Sequence, residues 1–154
     1  MINNVLKSLY TGLAIAALAF SQAATAGDID AGTTKSLYER LGSWDGITQI
    51  VTDTVTLHQA NPAISHYFAD VDTDKLVSHV TAFFAAGTGG PSKYQGRDMT
   101  SAHASMGLSD ADFDSAVGDV LKALDKNGIG DAEKTEVAAI LESLRPAVMG
   151  TAGG

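Results

Sequence analysis

The sequence of 154 residues predicts an all-α fold, and three observations support this. Apolar residues recur at intervals of three and four in every patterned segment, which is the spacing of one face of an α-helix. We find no segment that alternates apolar and polar residues as a half-buried strand does. Glycine, asparagine and proline separate the patterned segments, as they commonly do between helices.

The first half of this pattern predicts two helices. A short helix covers residues 34–42 and ends at Gly42. A longer helix begins near Asp45, takes Ser43 as its N-cap and ends at Asn61-Pro62. Its inner face consists of Ile47, Ile50, Val51, Thr54, Val55 and His58.

The second half predicts four more helical segments. A long helix begins around Thr73 and breaks in the glycine-rich stretch 87–91, and a short helix carries His103. The segment Ser109–Asp112 resembles a capping box that opens the next helix, with an inner face of Phe113, Val117, Val120, Leu121 and Leu124. After a turn at 127–130, the last helix presents Val137, Ile140, Leu141, Leu144 and Val148.

The N-terminal residues have the pattern of a secretory leader. Lys7 supplies a positive charge, an apolar run extends from Leu9 to Phe20, and residues 24–26 read A-T-A, a small-residue cleavage site. The run is too short for a membrane-spanning helix of about 20 residues, and the alternative is a buried helix. We predict a signal peptide over 1–26, an extension over 27–35, one domain over 36–149, a flexible tail over 150–154, and a periplasmic or secreted location.

Composition excludes several functions. The net charge of −8 argues against binding to nucleic acid or to anionic membranes. The sequence has no cysteine, so it has no disulfide, no thiolate metal site and no C-x-x-C-H motif for covalent haem. The four histidines lack the spacing of a zinc site, and neither a phosphate-binding loop nor a G-x-S-x-G motif is present.

Two histidines are the candidates for chemistry. His79 lies on an otherwise apolar helix face, and His103 lies on a short helix flanked by loops. Each is either a hydrogen-bonded core residue or a metal ligand, and two imidazoles across an apolar slot are a known arrangement for axial ligation of haem iron. Between residues 67 and 113 the aromatic side chains either pack together or line a flat cavity.

The chain resembles the group 1 truncated haemoglobins, the two-over-two helical globins, over about residues 36–148. The resemblance rests on SLYERLG at 36–42, YFADVD at 67–72, the Phe83-Phe84 pair and GGPSKYQGRDMTSAH at 89–103. It implies non-covalent haem b with His103 as the proximal iron ligand. His79 falls where cyanobacterial members carry a distal histidine, which binds iron or alternatively pairs with a haem propionate. The implied pocket consists of Phe68, Leu76, His79, Val80, Phe83, Phe84, Tyr94, Met99, His103 and Phe113.

The chain departs from the family pattern on the distal side. Val55 stands where the family usually has a tyrosine, and Leu76 and Val80 occupy positions that are often polar. Residues 144–147 lack the histidine that bonds covalently to haem in some relatives. The propionate partner is Lys75, Lys93 or Arg97. We expect His58 to lie beyond the pocket in a structural or partly exposed role, and His66 to lie on the surface.

The resemblance implies reversible binding of oxygen, nitric oxide or carbon monoxide by a protein that is predicted to be a monomer. Because the oxygen-binding tyrosine is missing, electron transfer with a redox partner protein, or the handling of nitric oxide or peroxide, is the alternative. Whether the protein is an enzyme stays open. The third interpretation is a haem-free helical module for protein interaction or phosphotransfer.

Overall fold

The structure is a computed structural model that describes residues 35–151. Within that range the chain forms six α-helices and one short 3-10 helix, and no strand. The helices are α1 (Leu37–Arg40), α2 (Ser43–Ala60), α3 (Thr73–Gly87), α4 (Met99–His103), α5 (Asp110–Lys126) and α6 (Asp131–Val148), with the 3-10 helix at Ser65–Phe68. The all-α prediction is therefore confirmed. The predicted leader, nearly all of the predicted extension and the last three residues lie outside the described residues.

The connection from α1 to α2 corrects two predicted boundaries. Helix α1 is only one turn long: it starts after the capping box of Ser36 and Glu39 and ends at Arg40, just before the left-handed Gly42. Gly42 adopts a φ of 88°, which favours glycine, and its carbonyl accepts a hydrogen bond from the Gly46 amide at 3.1 Å. Helix α2 therefore begins at Ser43, two residues earlier than expected. Gly42, and not Ser43, is its N-cap.

Side-chain caps define the starts of three other helices. Asp72 accepts a hydrogen bond from the Lys75 amide at the start of α3, and Asp98 accepts one from the Ser101 amide at the start of α4. The predicted capping box of α5 is present, since the Ser109 hydroxyl and the Asp112 carboxylate each accept from the other residue's amide. These caps set the first residues of α3, α4 and α5.

Helix α2 is the central element of the core. It packs against both α3 and α5, while α6 packs against α5 and contacts α1 and α4. The predicted inner face of α2 is buried from Ile47 to Val55, and His58 at its end is half-buried. The buried apolar cluster comprises Leu37, Leu41, Ile47, Ile50, Val51, Val55, Phe84, Ala85, Ala123, Leu124 and Val137. None of the described helices is long and apolar enough to cross a membrane.

Ion pairs between helices connect α1, α2, α5 and α6. Arg145 of α6 pairs with the carboxylates of Asp110 and Asp114 on α5. Its guanidinium carbon also lies 4.3 Å from the ring centroid of Phe113. The other ion pairs between helices join Arg40 to Glu133 and Glu136, Lys126 to Asp53, and Lys134 to Asp125. A hydrogen bond of 3.3 Å joins His58 to Asp119. Among residues 35–151, helix α3 has only a local ion pair, between Lys75 and its cap Asp72.

Candidate functional site

A large apolar cavity of about 870 Å³ lies between the helices. Its walls come from α2, α3, α4, α5, α6, the 3-10 helix and the segment between α3 and α4. A cavity of this size and apolar lining is typical of a site for an organic cofactor. It is lined by every residue of the predicted pocket: Phe68, Leu76, His79, Val80, Phe83, Phe84, Tyr94, Met99, His103 and Phe113.

His103 is held in one orientation by its own helix. It is the last residue of α4, and its Nδ1 atom lies 2.8 Å from the Met99 carbonyl oxygen, one turn earlier. A carbonyl oxygen can only accept a hydrogen bond, so Nδ1 carries the proton and donates. The Nε2 atom then has a free lone pair, which is the form of imidazole that binds a metal.

His79 lies at the edge of the cavity. Its side chain lines the cavity from α3 and is largely exposed, and it makes no hydrogen bond with any described residue. Leu76 and Val80, on the same face of α3, are half-buried and line the same wall. The α3 wall is therefore apolar except for one imidazole whose nitrogens are both available.

The α2 wall offers no free hydroxyl. Val55, for which the sequence resemblance implies a tyrosine, is buried and lines the cavity. Thr54 also lines the cavity, but its hydroxyl donates to the Ile50 carbonyl at 2.9 Å. The Thr56 hydroxyl donates to the carbonyl of Thr52, on an exposed face.

The expectation that His58 lies beyond the pocket is wrong. His58 lines the cavity, and its ring centroid lies 5.3 Å from that of Phe68. Its Nδ1 atom lies 3.3 Å from a carboxylate oxygen of Asp119 on α5. Neither contact is local in sequence, so the spacing along α2 did not reveal them. His66 is exposed and stacks on Tyr67 with ring centroids 4.0 Å apart.

The pKa values of His58 and Asp119 are both lowered, each by a different balance of causes. Burial lowers the pKa of His58, against the opposing effect of the neighbouring Asp119. Burial alone raises the pKa of Asp119, but hydrogen bonds from Asn61, Lys122 and His58 together lower it below its usual value. The pair is therefore a neutral imidazole beside an ionised carboxylate at neutral pH.

Lys75, Lys93 and Arg97 were predicted as candidates to pair with a haem propionate. Of these three residues, only Arg97 lines the cavity. Its guanidinium forms no ion pair with a described residue. Lys75 is paired with Asp72 at 3.1 Å, and Lys93 is exposed outside the cavity lining. Arg97 is thus the cation that is best situated to meet a carboxylate of a bound molecule.

Tyr94 depends on a neighbouring glycine for its place in the wall. Its ring contacts Phe83 edge-on, with centroids 5.2 Å apart. A Cβ atom on Gly96 would lie only 2.0 Å from the Tyr94 hydroxyl oxygen, so Gly96 leaves the space that this side chain occupies.

Sequence reasoning missed the contribution of α6 to the cavity. Leu141, Leu144 and Val148 line it, as do Met106 and Leu108 after α4. The α6 residues were predicted to face inward, but an inward face alone does not distinguish a packed core from a cavity wall.

An apolar cavity enclosed by helices, with an oriented imidazole on one wall and a second imidazole at its edge, defines a helical protein of the cofactor-binding class. The particular family follows from comparison: the chain belongs to the Bacterial-like globin family, whose sequence profile matches residues 36–150.

The relatives and solved structures agree with this assignment. The chain is 35% identical over 109 residues to the group 1 truncated hemoglobin GlbN of Synechocystis sp., a match that covers 68% of this chain and 88% of the relative. It is 29% identical over 116 residues to the group 1 truncated hemoglobin of Tetrahymena pyriformis, with 75% and 96% covered. The fold matches the crystal structure of the latter protein in its Fe(III) form, with a TM-score of 0.72 over 75% of this chain and 98% of that chain.

A second solved structure carries a bound group. The 2/2 hemoglobin of Synechococcus sp. PCC 7002, in the cyanomet state and with covalently attached heme, matches with a TM-score of 0.71 and 25% identity. The match covers 75% of this chain and 99% of that chain. The two-over-two globin fold predicted from the sequence is therefore confirmed, and membership of this family supports a haem-binding globin.

Proposed function

We propose that this protein binds haem b non-covalently, with His103 as the proximal iron ligand, and reversibly binds a diatomic gas. The observation that carries the proposal is the hydrogen bond from His103 Nδ1 to the Met99 carbonyl, at the wall of an apolar cavity. This bond fixes the tautomer and leaves Nε2 free to coordinate iron. When bound, haem supplies an iron atom with a coordination position for oxygen, nitric oxide or carbon monoxide.

The residues of the cavity fit the group. Aromatic and aliphatic side chains would cover the macrocycle and exclude water, and Arg97 would pair with a propionate. The last turns of α6 carry Leu144, Arg145, Pro146 and Ala147, so the histidine that the sequence resemblance associates with covalent attachment of haem is missing there. This supports b-type haem.

His79 is proposed as a displaceable distal ligand. Its side chain makes no hydrogen bond with a described residue that would have to break before it binds iron. An external gas must first displace it, so the apparent affinity is the intrinsic affinity reduced by the fraction of the protein in the open state. The alternative role, a hydrogen bond to a propionate, predicts no such reduction.

The α2 wall favours a second candidate function, namely electron transfer with a redox partner, or the handling of nitric oxide or peroxide. With Val55 apolar and the Thr54 hydroxyl already bonded to Ile50, α2 provides no hydroxyl to hold bound oxygen. One missing neutral hydrogen bond weakens retention by about 1 kcal/mol. Rapid autoxidation of the ferrous oxygen complex would support the second function, and slow autoxidation would support oxygen binding. A periplasmic or secreted location and a monomeric state remain part of the proposal.

Absorption spectra of the haem-loaded protein test the ligands. We expect His103→Ala to lose or greatly weaken haem uptake, and His79→Ala to change a low-spin six-coordinate spectrum into a high-spin one. His66→Ala is the matched control, since His66 is exposed and outside the cavity lining. A ferrous spectrum indifferent to His79 would contradict its role as an iron ligand. No haem uptake by the parent protein would overturn the proposal.

A further inference from the structure

His58 and Asp119 form a buried pair at the wall of the cavity, and nothing in the proposed ligation of haem uses them. The His58 side chain is 13% exposed and that of Asp119 is 2% exposed. The two residues join α2 to α5 through the contact of 3.3 Å between His58 Nδ1 and Asp119 Oδ2. His58 lines the same cavity as His79 and His103, and Asp119 lies behind it on α5 and outside the cavity lining.

The hydrogen bonds to Asp119 define where the proton lies on His58. Oδ2 also accepts from Asn61 Nδ2 at 2.7 Å, and Oδ1 accepts from Lys122 Nζ at 2.8 Å. A carboxylate with these donors is ionised and accepts from His58, so Nδ1 carries the proton. The Nε2 atom makes no hydrogen bond with a described residue, and its lone pair is free to accept a second proton.

We infer that His58, oriented by Asp119, is a proton-accepting site that takes up one proton when the bound haem is reduced. This inference rests on the proposed function. In the step, one electron from a one-electron donor converts ferric to ferrous iron, and one proton from solvent binds Nε2 of His58. The new N–H bond makes an imidazolium beside the ionised Asp119, so the total charge of the site is unchanged.

The physical reason is the charge of the iron. Ferric haem repels a proton on a neighbouring imidazole more than ferrous haem does. A unit of charge about 10 Å away, at an effective dielectric constant of about 20, changes the proton affinity roughly tenfold. Burial lowers the pKa of His58, so the imidazole of the haem-free chain is neutral at neutral pH.

Other ionisable groups of the cavity act on His58 as well. Tyr67 of the 3-10 helix donates a hydrogen bond to Asp112 of α5 at 3.2 Å, and Lys122 is paired with Asp119. Those that line the cavity besides His58 are Tyr67, His79, Tyr94, Arg97, His103 and Asp112. Because these groups are unchanged by substitution of His58, the difference between parent and variant isolates its contribution.

The first test is the midpoint reduction potential of the haem-loaded protein as a function of pH. It is measured in a His79→Ala background, so that exchange of that ligand does not contribute. We expect a potential about 59 mV higher at low pH than at high pH for a tenfold difference in proton affinity. His58→Gln should remove this step, whereas His66→Gln, the matched exposed control, should retain it. Equal pH profiles for the parent and His58→Gln would overturn the inference.

The second test reads His58 directly in the parent protein and does not depend on the folding of a variant. Nitrogen-15 NMR of the ring should show the Nδ1–H tautomer, and the pKa of His58 should be about one unit higher in the ferrous than in the ferric protein. An Nε2–H tautomer, or the same pKa in both oxidation states, would overturn the inference while leaving haem binding intact. Failure of the parent to bind haem would overturn the proposed function and this inference together.

Discussion

Replacing Asp119 with alanine tests how much the buried polar group contributes to stability. The side chain accepts hydrogen bonds from Asn61, Lys122 and His58 at 2.7, 2.8 and 3.3 Å. Alanine would leave the buried Nδ1–H of His58 and one N–H of Asn61 without this acceptor. A donor left unsatisfied in a protein interior costs about 1–3 kcal/mol.

The three hydrogen bonds to Asp119 contribute unequally to the free energy of unfolding. Asn61 keeps a hydrogen bond to the Ser115 hydroxyl at 2.9 Å, and the side chain of Lys122 is 66% exposed, so solvent replaces most of its contact with Asp119. With about 1–3 kcal/mol for the His58 donor and about 1 kcal/mol for the partly buried Asn61, we predict that Asp119→Ala loses about 2–4 kcal/mol in the free energy of unfolding at neutral pH.

Urea unfolding of the haem-loaded protein, followed by circular dichroism, measures this loss. Asp70→Ala is the matched control, because Asp70 is exposed and makes no hydrogen bond with a described residue. Since the folded state lowers the pKa of Asp119, its contribution is present above the unfolded value of about 3.9 and decreases as the pH falls through the folded pKa. A loss below about 0.5 kcal/mol at neutral pH would refute the reasoning.

Three further outcomes are expected. Because burial lowers the pKa of His58, the unfolded chain takes up this proton first as the pH falls. The stability of the parent should therefore decrease below the unfolded pKa of about 6.5, and His58→Gln should lose this slope in urea titrations at several pH values. Gly96→Ala should displace the Tyr94 hydroxyl and weaken haem binding by no more than Tyr94→Ala does, and an affinity equal to that of the parent in a haem titration would contradict the packing argument. Val55→Tyr, with Val55→Phe as its control, should place a hydroxyl on the α2 wall and slow autoxidation roughly fivefold, the equivalent of about 1 kcal/mol; equal rates for the two variants would mean that the hydroxyl does not reach the ligand.

The sequence predicted the helices better than it predicted their contacts. Apolar periodicity and caps such as Ser109 are local signals, so the elements and several of their starts could be read directly. The site residues on α3 and α4 came from the resemblance to a family, and all of them line one cavity. His58 was misplaced because its neighbours Phe68 and Asp119 lie far along the chain, and only tertiary packing brings them together.

The N-cap of α2 is a second feature that could not be predicted from the residue types. Serine is a preferred N-cap, so Ser43 was the reasonable choice from sequence. The left-handed conformation of Gly42, together with the space left by Gly46 beside the Leu41 carbonyl, moves the cap by one residue. These features depend on backbone geometry that residue types alone do not specify.

The helices fall into two groups, those that the described ion pairs connect and those that they do not, which we call the frame and the door. The frame consists of α1, α2, α5 and α6, which the described ion pairs connect to one another. The door consists of α3 and α4, which carry His79 and His103, and none of these described pairs joins them to the frame. Movement of these two helices away from the cavity would separate none of the described interhelical ion pairs, so we expect a wide planar molecule to enter on their side. Amide exchange in the haem-free chain should then be fastest in α3 and α4, and added salt should accelerate exchange in the frame more than in the door.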